Sequence, residues 1–183
     1  YLDMDGLVCI SADHYGGAVQ ATEYLCKLGH CKIGLLSGRF SPQVSEARIE
    51  GFVKTLAKYD IPVDDRFIAD IEPALEDGEE IMTRMLREVD RPTAFFCTND
   101  TIAAGAMKAV TRAGLRVPED IAIIGFDDSY ISRVVEPELT TVRIDAAKMG
   151  CLAMQTLFDL IAGMPVEKAH IQIPTELIVR GTA

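Results

Sequence analysis

Two aspartates stand one residue apart near the start of the chain, in the stretch Asp3-Met4-Asp5-Gly6-Leu7-Val8. On the end of an extended strand that spacing puts both carboxylates on one face, so that one could attack phosphorus while the other moves a proton. Asp and Gly are also common in polar turns leaving a strand, so the same residues suit a turn with no chemistry attached. A second set of polar residues follows strand-like segments further along. Asn99 and Asp100 come after residues 93–97 (TAFFC), Asp127 comes after residues 121–125 (IAIIG), and Arg48 begins a helix after the loop leaving Gly38. A carboxylate or guanidinium can bind two vicinal hydroxyls at once, and an amide both donates and accepts; these groups match sugars and nucleosides. Such a set would bind a molecule without converting it.

Either set needs a rigid frame, and the sequence predicts one. Residues 31–36 (CKIGLL), 66–69, 93–97 and 121–125 are short apolar runs bounded by Gly, Pro, Asp or Asn, as buried strands are. Between them the apolar residues recur at helical spacing. Ala18, Ala21, Thr22, Leu25 and Leu28 stop at Gly29, and Ile49, Phe52, Val53 and Leu56 stop before Ile61-Pro62. Ile81, Met85 and Leu86 form a third face; Ile102, Ala106, Met107 and Val110, closed by Gly114, form a fourth. Continuous apolar strands alternating with helices predict an α/β fold with a parallel sheet covered on both faces. Asn99, Asp100 and Asp127 then share the rim at the carboxyl ends of the strands, where open α/β sheets hold ligands.

After Asp128 the pattern changes. Residues 137–142 (PELTTV) read as extended, Asp145 caps a helix running to Gly163, and residues 170–179 (HIQIPTELIV) form an extended tail broken at Pro174. The helix carries Met149, Leu152, Thr156, Leu157 and Leu160 on its apolar side.

Composition narrows the function classes. The 183 residues are 49% apolar and 25% charged, which fits an ordinary globular chain. Eighteen Lys and Arg against 28 Asp and Glu give a net charge of −10, which repels phosphate backbones and disfavours direct nucleic-acid binding by these residues. No apolar run reaches the roughly 18 residues of a membrane span, and no secretory signal is recognisable at the first residues, so a cytoplasmic location is expected. The cysteines (Cys9, Cys26, Cys31, Cys97 and Cys151) are odd in number and scattered, without metal spacing, as structural thiols in a reducing compartment would be. No cofactor or metal is expected.

Two families are resembled. The DMDG stretch resembles the first motif of the haloacid-dehalogenase superfamily of magnesium phosphatases, with Asp3 as nucleophile, and residues 117–129 (VPEDIAIIGFDDS) resemble its acidic motif. Only Tyr1 and Leu2 precede Asp3, however, where that superfamily has a long buried strand. Lys108 lies within a helical face, and Phe126 separates the glycine and aspartate of the acidic motif. The other resemblance runs through nearly the whole chain. Leu28-Gly29-His30, residues 33–38 (IGLLSG), Ala47-Arg48, Gly51-Phe52, Pro92-Thr93-Ala94 and Asn99-Asp100 come first. Residues 114–121 (GLRVPEDI), 125–128 (GFDD), 137–142 (PELTTV), Gly150 and residues 174–180 (PTELIVR) follow in order. Together they are similar to the effector-binding core of the LacI/GalR family of bacterial transcription repressors.

That resemblance implies a periplasmic-binding-protein-like pair of α/β lobes around a ligand cleft, N-terminally truncated, with an essentially complete C-terminal lobe. Residues 1–12 would be a remnant strand of the N-terminal lobe and 13–141 the C-terminal lobe. Residues 142–165 would be a crossover and helix of the N-terminal lobe, and 166–183 the end of the C-terminal one. It implies ligand contacts at Arg48, Asn99 and Asp127, with Asp13, Asp100, Phe40 and Tyr130 as further candidates. Each has a plainer reading: Arg48 could pair with Glu46 or Glu50 in solvent, Asn99 or Asp100 could cap the helix at 101–113, and Asp127 could serve a turn. Phe40 and Tyr130 could stack on a sugar face or simply pack. The implied partners are a small effector, a sugar or nucleoside, and a second copy through surfaces around 101–113 and 129–138. Operator DNA would be reached only through a helix-turn-helix absent from this chain, and no membrane is involved. A periplasmic sugar-binding protein of a transporter would share the fold and cleft. Without the rest of its lobe, the helix at 145–163 should leave Leu152, Leu157 and Leu160 partly unprotected.

Overall fold

The computed structural model describes residues 7–165 and 170–183. Asp3, Asp5 and the rest of the DMDG stretch lie outside the described residues. The chain builds a six-stranded sheet in the order β3-β2-β4-β5-β6-β8 and a separate two-stranded sheet, β1-β7. In the large sheet β2 (Ile33–Gly38), β3 (Ile68–Ile71), β4 (Ala94–Cys97), β5 (Ala122–Asp127) and β6 (Thr140–Arg143) are all parallel. The edge strand β8 (Glu176–Ile178) runs antiparallel to β6, an exception to the expected parallel sheet.

Helices cover both faces because neighbouring side chains along each strand point opposite ways. Leu35, Phe96, Ile124 and Phe126 face α1 (His14–Lys27) and α2 (Pro42–Lys58); Leu36, Phe95, Cys97 and Ile123 face α3 (Leu75–Met85) and α4 (Asp100–Arg112). The α1/α2 layer is tight. A Cβ on Gly51 would come 2.7 Å from the Tyr15 carbonyl oxygen, and one on Gly17 2.7 Å from the Phe126 ring, so both helices need glycine where they close on their neighbours.

Several boundaries differ from expectation for local reasons. Arg66 belongs to a 3₁₀ turn, Asp65–Phe67, because Asp64 accepts a hydrogen bond from the Arg66 amide at its start. Leu28 is exposed: α1 ends at Lys27 and Gly29 takes φ +90°, turning the chain before Leu28 can join the core. Arg48 lies in the middle of α2, which starts six residues earlier, with Pro42 in its first turn. A short helix, α5 (Ile131–Val134), follows β5.

The small sheet joins β1 (Cys9–Ala12) to β7 (His170–Ile173) in parallel, and α6 (Ala146–Ile161) packs on β1. Residues 170–173, expected to finish the larger body, therefore pair with β1 instead; after Pro174, which has no amide hydrogen to donate, only β8 joins the large sheet. Asp145 caps α6 by accepting from the Lys148 amide, yet only Thr156 of that helix is buried. Leu157, Phe158, Leu160 and Ile161 are exposed, Ile161 to 75%. The two sheets are linked at Asp13, at Ile144–Asp145 and at Pro174–Thr175. These links lie against one another: the Asp13 amide donates to the Ile173 carbonyl at 2.8 Å, and the Thr175 hydroxyl to the Asp13 carbonyl at 3.2 Å. No helix among the described residues is long and apolar enough to cross a membrane.

Candidate functional site

The chain runs from β2 to β3 on one side and then crosses back to β4 on the other side of β2, so the sheet has a topological switch point between the carboxyl ends of β2 and β4. Two outward-turning connections leave a crevice there. Its edges are Gly38 and Thr98, joined by the Gly38 amide donating to the Thr98 hydroxyl at 2.8 Å. Arg48 reaches this point from α2. Its guanidinium donates through Nη1 to the Thr98 carbonyl and through Nη2 to Asp127 Oδ1 at 3.3 Å and to His14 Nδ1 at 3.2 Å. The guanidinium carbon sits 3.9 Å from the centre of the Phe126 ring and 5.1 Å from that of Phe40, within cation–π range. Arg48 is only 3% exposed, and its buried Nε has no hydrogen-bond partner among the described residues. The solvated pairing with Glu46 or Glu50 is therefore not what the structure shows; Glu50 pairs with Lys54.

Asp127 closes β5 with φ +107°, a conformation that costs a non-glycine residue on the order of 1–3 kcal/mol and is retained where the surroundings enforce it. Burial pushes its carboxyl up to about 6 against the opposing attraction of Arg48. His14 goes the other way. Burial, then the Arg48 charge, lowers it to about 4 against a smaller pull from Asp13. Because a guanidinium can only donate, His14 Nδ1 is the acceptor and the neutral ring carries its proton on Nε2.

Of the residues picked out from the sequence, Arg48, Phe40 and Asp127 meet directly, and Asn99 adjoins them through Thr98. Asn99 caps α4, its Oδ1 accepting from the Ile102 amide at 2.9 Å. Asp13 caps α1, accepting from the Gly16 amide at 2.8 Å and from Gln172 Nε2 at 3.4 Å. Asp100 departs from expectation. It is 1% exposed, with its oxygens accepting from the Thr141 hydroxyl at 2.5 Å and the Ser129 amide at 2.6 Å, so it braces the loop behind the rim rather than facing the crevice. Tyr130 is 79% exposed and shares none of the contacts that unite Arg48, Thr98 and Asp127.

The sequence reading missed His14, Phe126 and the Thr98 carbonyl. It also missed Asp128, whose 3%-exposed side chain accepts from Arg180 Nη2 at 2.5 Å, Arg143 Nε at 2.7 Å and the Ser132 hydroxyl at 3.1 Å. Burial alone would raise its carboxyl; the hydrogen bonds from Arg180 and Arg143 overcome this and hold it at about 2.

Beside the Arg48 cluster lies a cavity of about 310 Å³ between the end of β1 and the starts of α1 and α2. Arg48, Asn99 and Asp127 do not line it; His14 does, and so connects the buried charges to the hollow. Among the described residues no group of His, Cys, Asp and Glu is arranged to hold a metal ion, and the five cysteines are free thiols. Cys97, fully buried, is pushed strongly up by its surroundings and is inert as a nucleophile at neutral pH.

Comparison with known proteins bears on the family and the fold. A model of the periplasmic binding protein-like domain matches residues 22–183. The HTH-type transcriptional repressor PurR of Pasteurella multocida is 38% identical over 174 residues, covering 93% of this chain and 52% of the repressor. A LacI-family regulatory protein from Chloroflexus aggregans superposes with a TM-score of 0.93 at 32% identity, over 100% of this chain and 65% of that one. The CelR-cellobiose complex, a transcriptional regulator, gives 0.90 at 27% identity, over 97% of this chain and 54% of that one. The chain spans about half the length of the curated relatives it matches.

Proposed function

The chain belongs to the periplasmic binding protein-like family, as the effector-binding domain of a LacI-type regulator, and from that premise we propose that it senses a small polyhydroxylated molecule, a sugar or nucleoside, without converting it. The observation that carries this reading is the Arg48–Asp127 pair beside the switch point, with Asp127 in strained backbone and Arg48 joined through His14 to a cavity. Asp127 offers a carboxylate to paired hydroxyls; Arg48 holds that carboxylate in place and is itself held over Phe126. The cellobiose complex among the structural relatives favours a carbohydrate.

The large sheet with α1–α5 forms the C-terminal lobe in this reading. The β1-β7 sheet and α6 belong to the N-terminal lobe, whose remaining part lies outside this stretch of chain, together with the helix-turn-helix that meets operator DNA. Ligand seated between the lobes favours one lobe arrangement by its differential affinity and so changes operator binding. Two copies associate in the cytoplasm through α4 and residues 129–138, where Tyr130 and Val134 stand exposed. A periplasmic transporter component would share the cleft, but the curated relatives are named as repressors.

A thermal-shift screen of the full-length protein against sugars and nucleosides tests this, because only ligands of the native state raise the melting temperature. A hit should lose about a hundredfold in affinity in Asp127→Asn, the cost of leaving a buried polar partner unmatched. The proposal falls if nothing in the screen binds, or if Asp127→Asn binds the hit as well as the unaltered protein does.

A further inference from the structure

The wall of the cavity beside Arg48 is uncharged: apolar Cys9, Ala12, Val44 and Ala47 form much of it, with polar groups set among them. Ser11, Ser41, Gln43 and Gln172 supply hydroxyls and amides, Tyr15 and His14 supply rings, and no Lys, Arg, Asp or Glu among the described residues lines it. The nearest cation is already engaged. Both terminal nitrogens of Arg48 are bonded to Thr98, Asp127 and His14, and its charge is matched by Asp127. Asp13, the other nearby anion, has Oδ1 committed to Gly16 and Gln172.

We infer that His14 is a specificity-determining residue of this cavity: fixed as a neutral ring by Arg48, it presents an Nε2–H donor to an uncharged oxygen of the ligand, and the wall it completes admits neutral sugars while rejecting their phosphorylated or carboxylated forms. The inference deepens the sensing role proposed above and rests on it. Three observations support it. The Arg48 contact fixes the tautomer, since a ring protonated at Nδ1 would meet a donor with a donor. The ring leans on Phe126, with centroids 6.1 Å apart and planes at 34°, so its position is set by packing as well as by the hydrogen bond. Burial and the Arg48 charge keep it unprotonated at neutral pH. An anionic ligand would lose its hydration and gain no free cation among the described residues, whereas a hydroxyl or ring oxygen can pair with His14, Ser41, Gln43 or Gln172. The cavity offers an anion no side-chain cation among the described residues, only the starts of α1 and α2.

The test uses the full-length protein and isothermal titration with matched pairs: glucose and glucose 6-phosphate, galactose and galacturonate, ribose and ribose 5-phosphate, adenosine and adenosine monophosphate. For every pair that binds, the neutral member should bind at least about tenfold more tightly. His14→Phe keeps a ring against Phe126 but removes donor and acceptor, and should weaken neutral binding about tenfold or more. His14→Gln, which restores an acceptor for Arg48 and a donor, should return it to within about threefold of the unaltered protein. Gln43→Lys, at an exposed position on the same wall, should narrow the neutral-to-anionic ratio about tenfold without touching the Arg48 cluster. Equal or tighter binding of an anionic member, unaltered neutral binding in His14→Phe, or an unchanged ratio in Gln43→Lys would overturn the inference and leave sensing intact. If no member of any pair binds, the sensing role falls and the inference falls with it.

Discussion

The two sheets of this chain are built from similar residues and end in opposite conditions. β2, β4 and β5 are buried on both faces, with Phe96 packed between Phe52 and Phe126 on one side and Phe95 in the α3/α4 core on the other. β1, β7 and α6 form a single thin layer whose apolar helix face is open. Apolar composition does not by itself make a core. α6 is as apolar as any helix here, but burial needs a second surface, and the larger sheet has two.

Truncating one residue in each region gives the largest contrast. Phe96→Ala should cost about 3–5 kcal/mol in chemical denaturation, as a cavity in a closed core does, whereas Leu157→Ala on α6 should cost less than about 0.5 kcal/mol. Comparable losses would mean that the small layer is stabilised as the large one is. The next effect lies at the β5–β6 end of the large sheet. Asp128→Asn takes from Arg180, itself mostly buried, the nearer of its two carboxylates, leaving Glu138 at 3.6 Å, and should lower stability by about 3 kcal/mol, read as a lower denaturation midpoint at unchanged slope. A smaller effect than that of Asp128 is expected at the rim. Asn99→Ala removes the cap of α4 and should cost about 1 kcal/mol, and a loss near that of Phe96→Ala would place Asn99 in a wider network than the helix start.

The core was legible because it is written in period. Alternating apolar pairs such as Leu35-Leu36, Phe95-Phe96 and Ile123-Ile124 announce strands covered on both sides, and Phe52, Leu56, Ile102 and Val110 fall on buried helix faces. The nearness of Asn99 and Asp127 was legible for a related reason: strand tips in a parallel sheet share one rim, and the loops carry polar residues there; Arg48 reaches that rim from the middle of α2. What surrounds them was not. The Thr98 acceptor is a backbone carbonyl, which any residue would supply. His14 meets Arg48 across 34 residues of chain, and Asp128 meets Arg180 across 52, contacts that no local pattern encodes. Asp100 shows the converse. It sits beside the rim in sequence, but the turn into α4 swings its carboxylate inward to Thr141 and Ser129.

The three short links between the sheets lie edge to edge, stitched by Asp13 to Ile173 and by Thr175 to Asp13, with β6 and β8 paired alongside. Ribbons laid side by side would yield more readily to bending about one line than to sliding or corkscrew motion. A change of angle between the two sheets is therefore the motion this junction would permit.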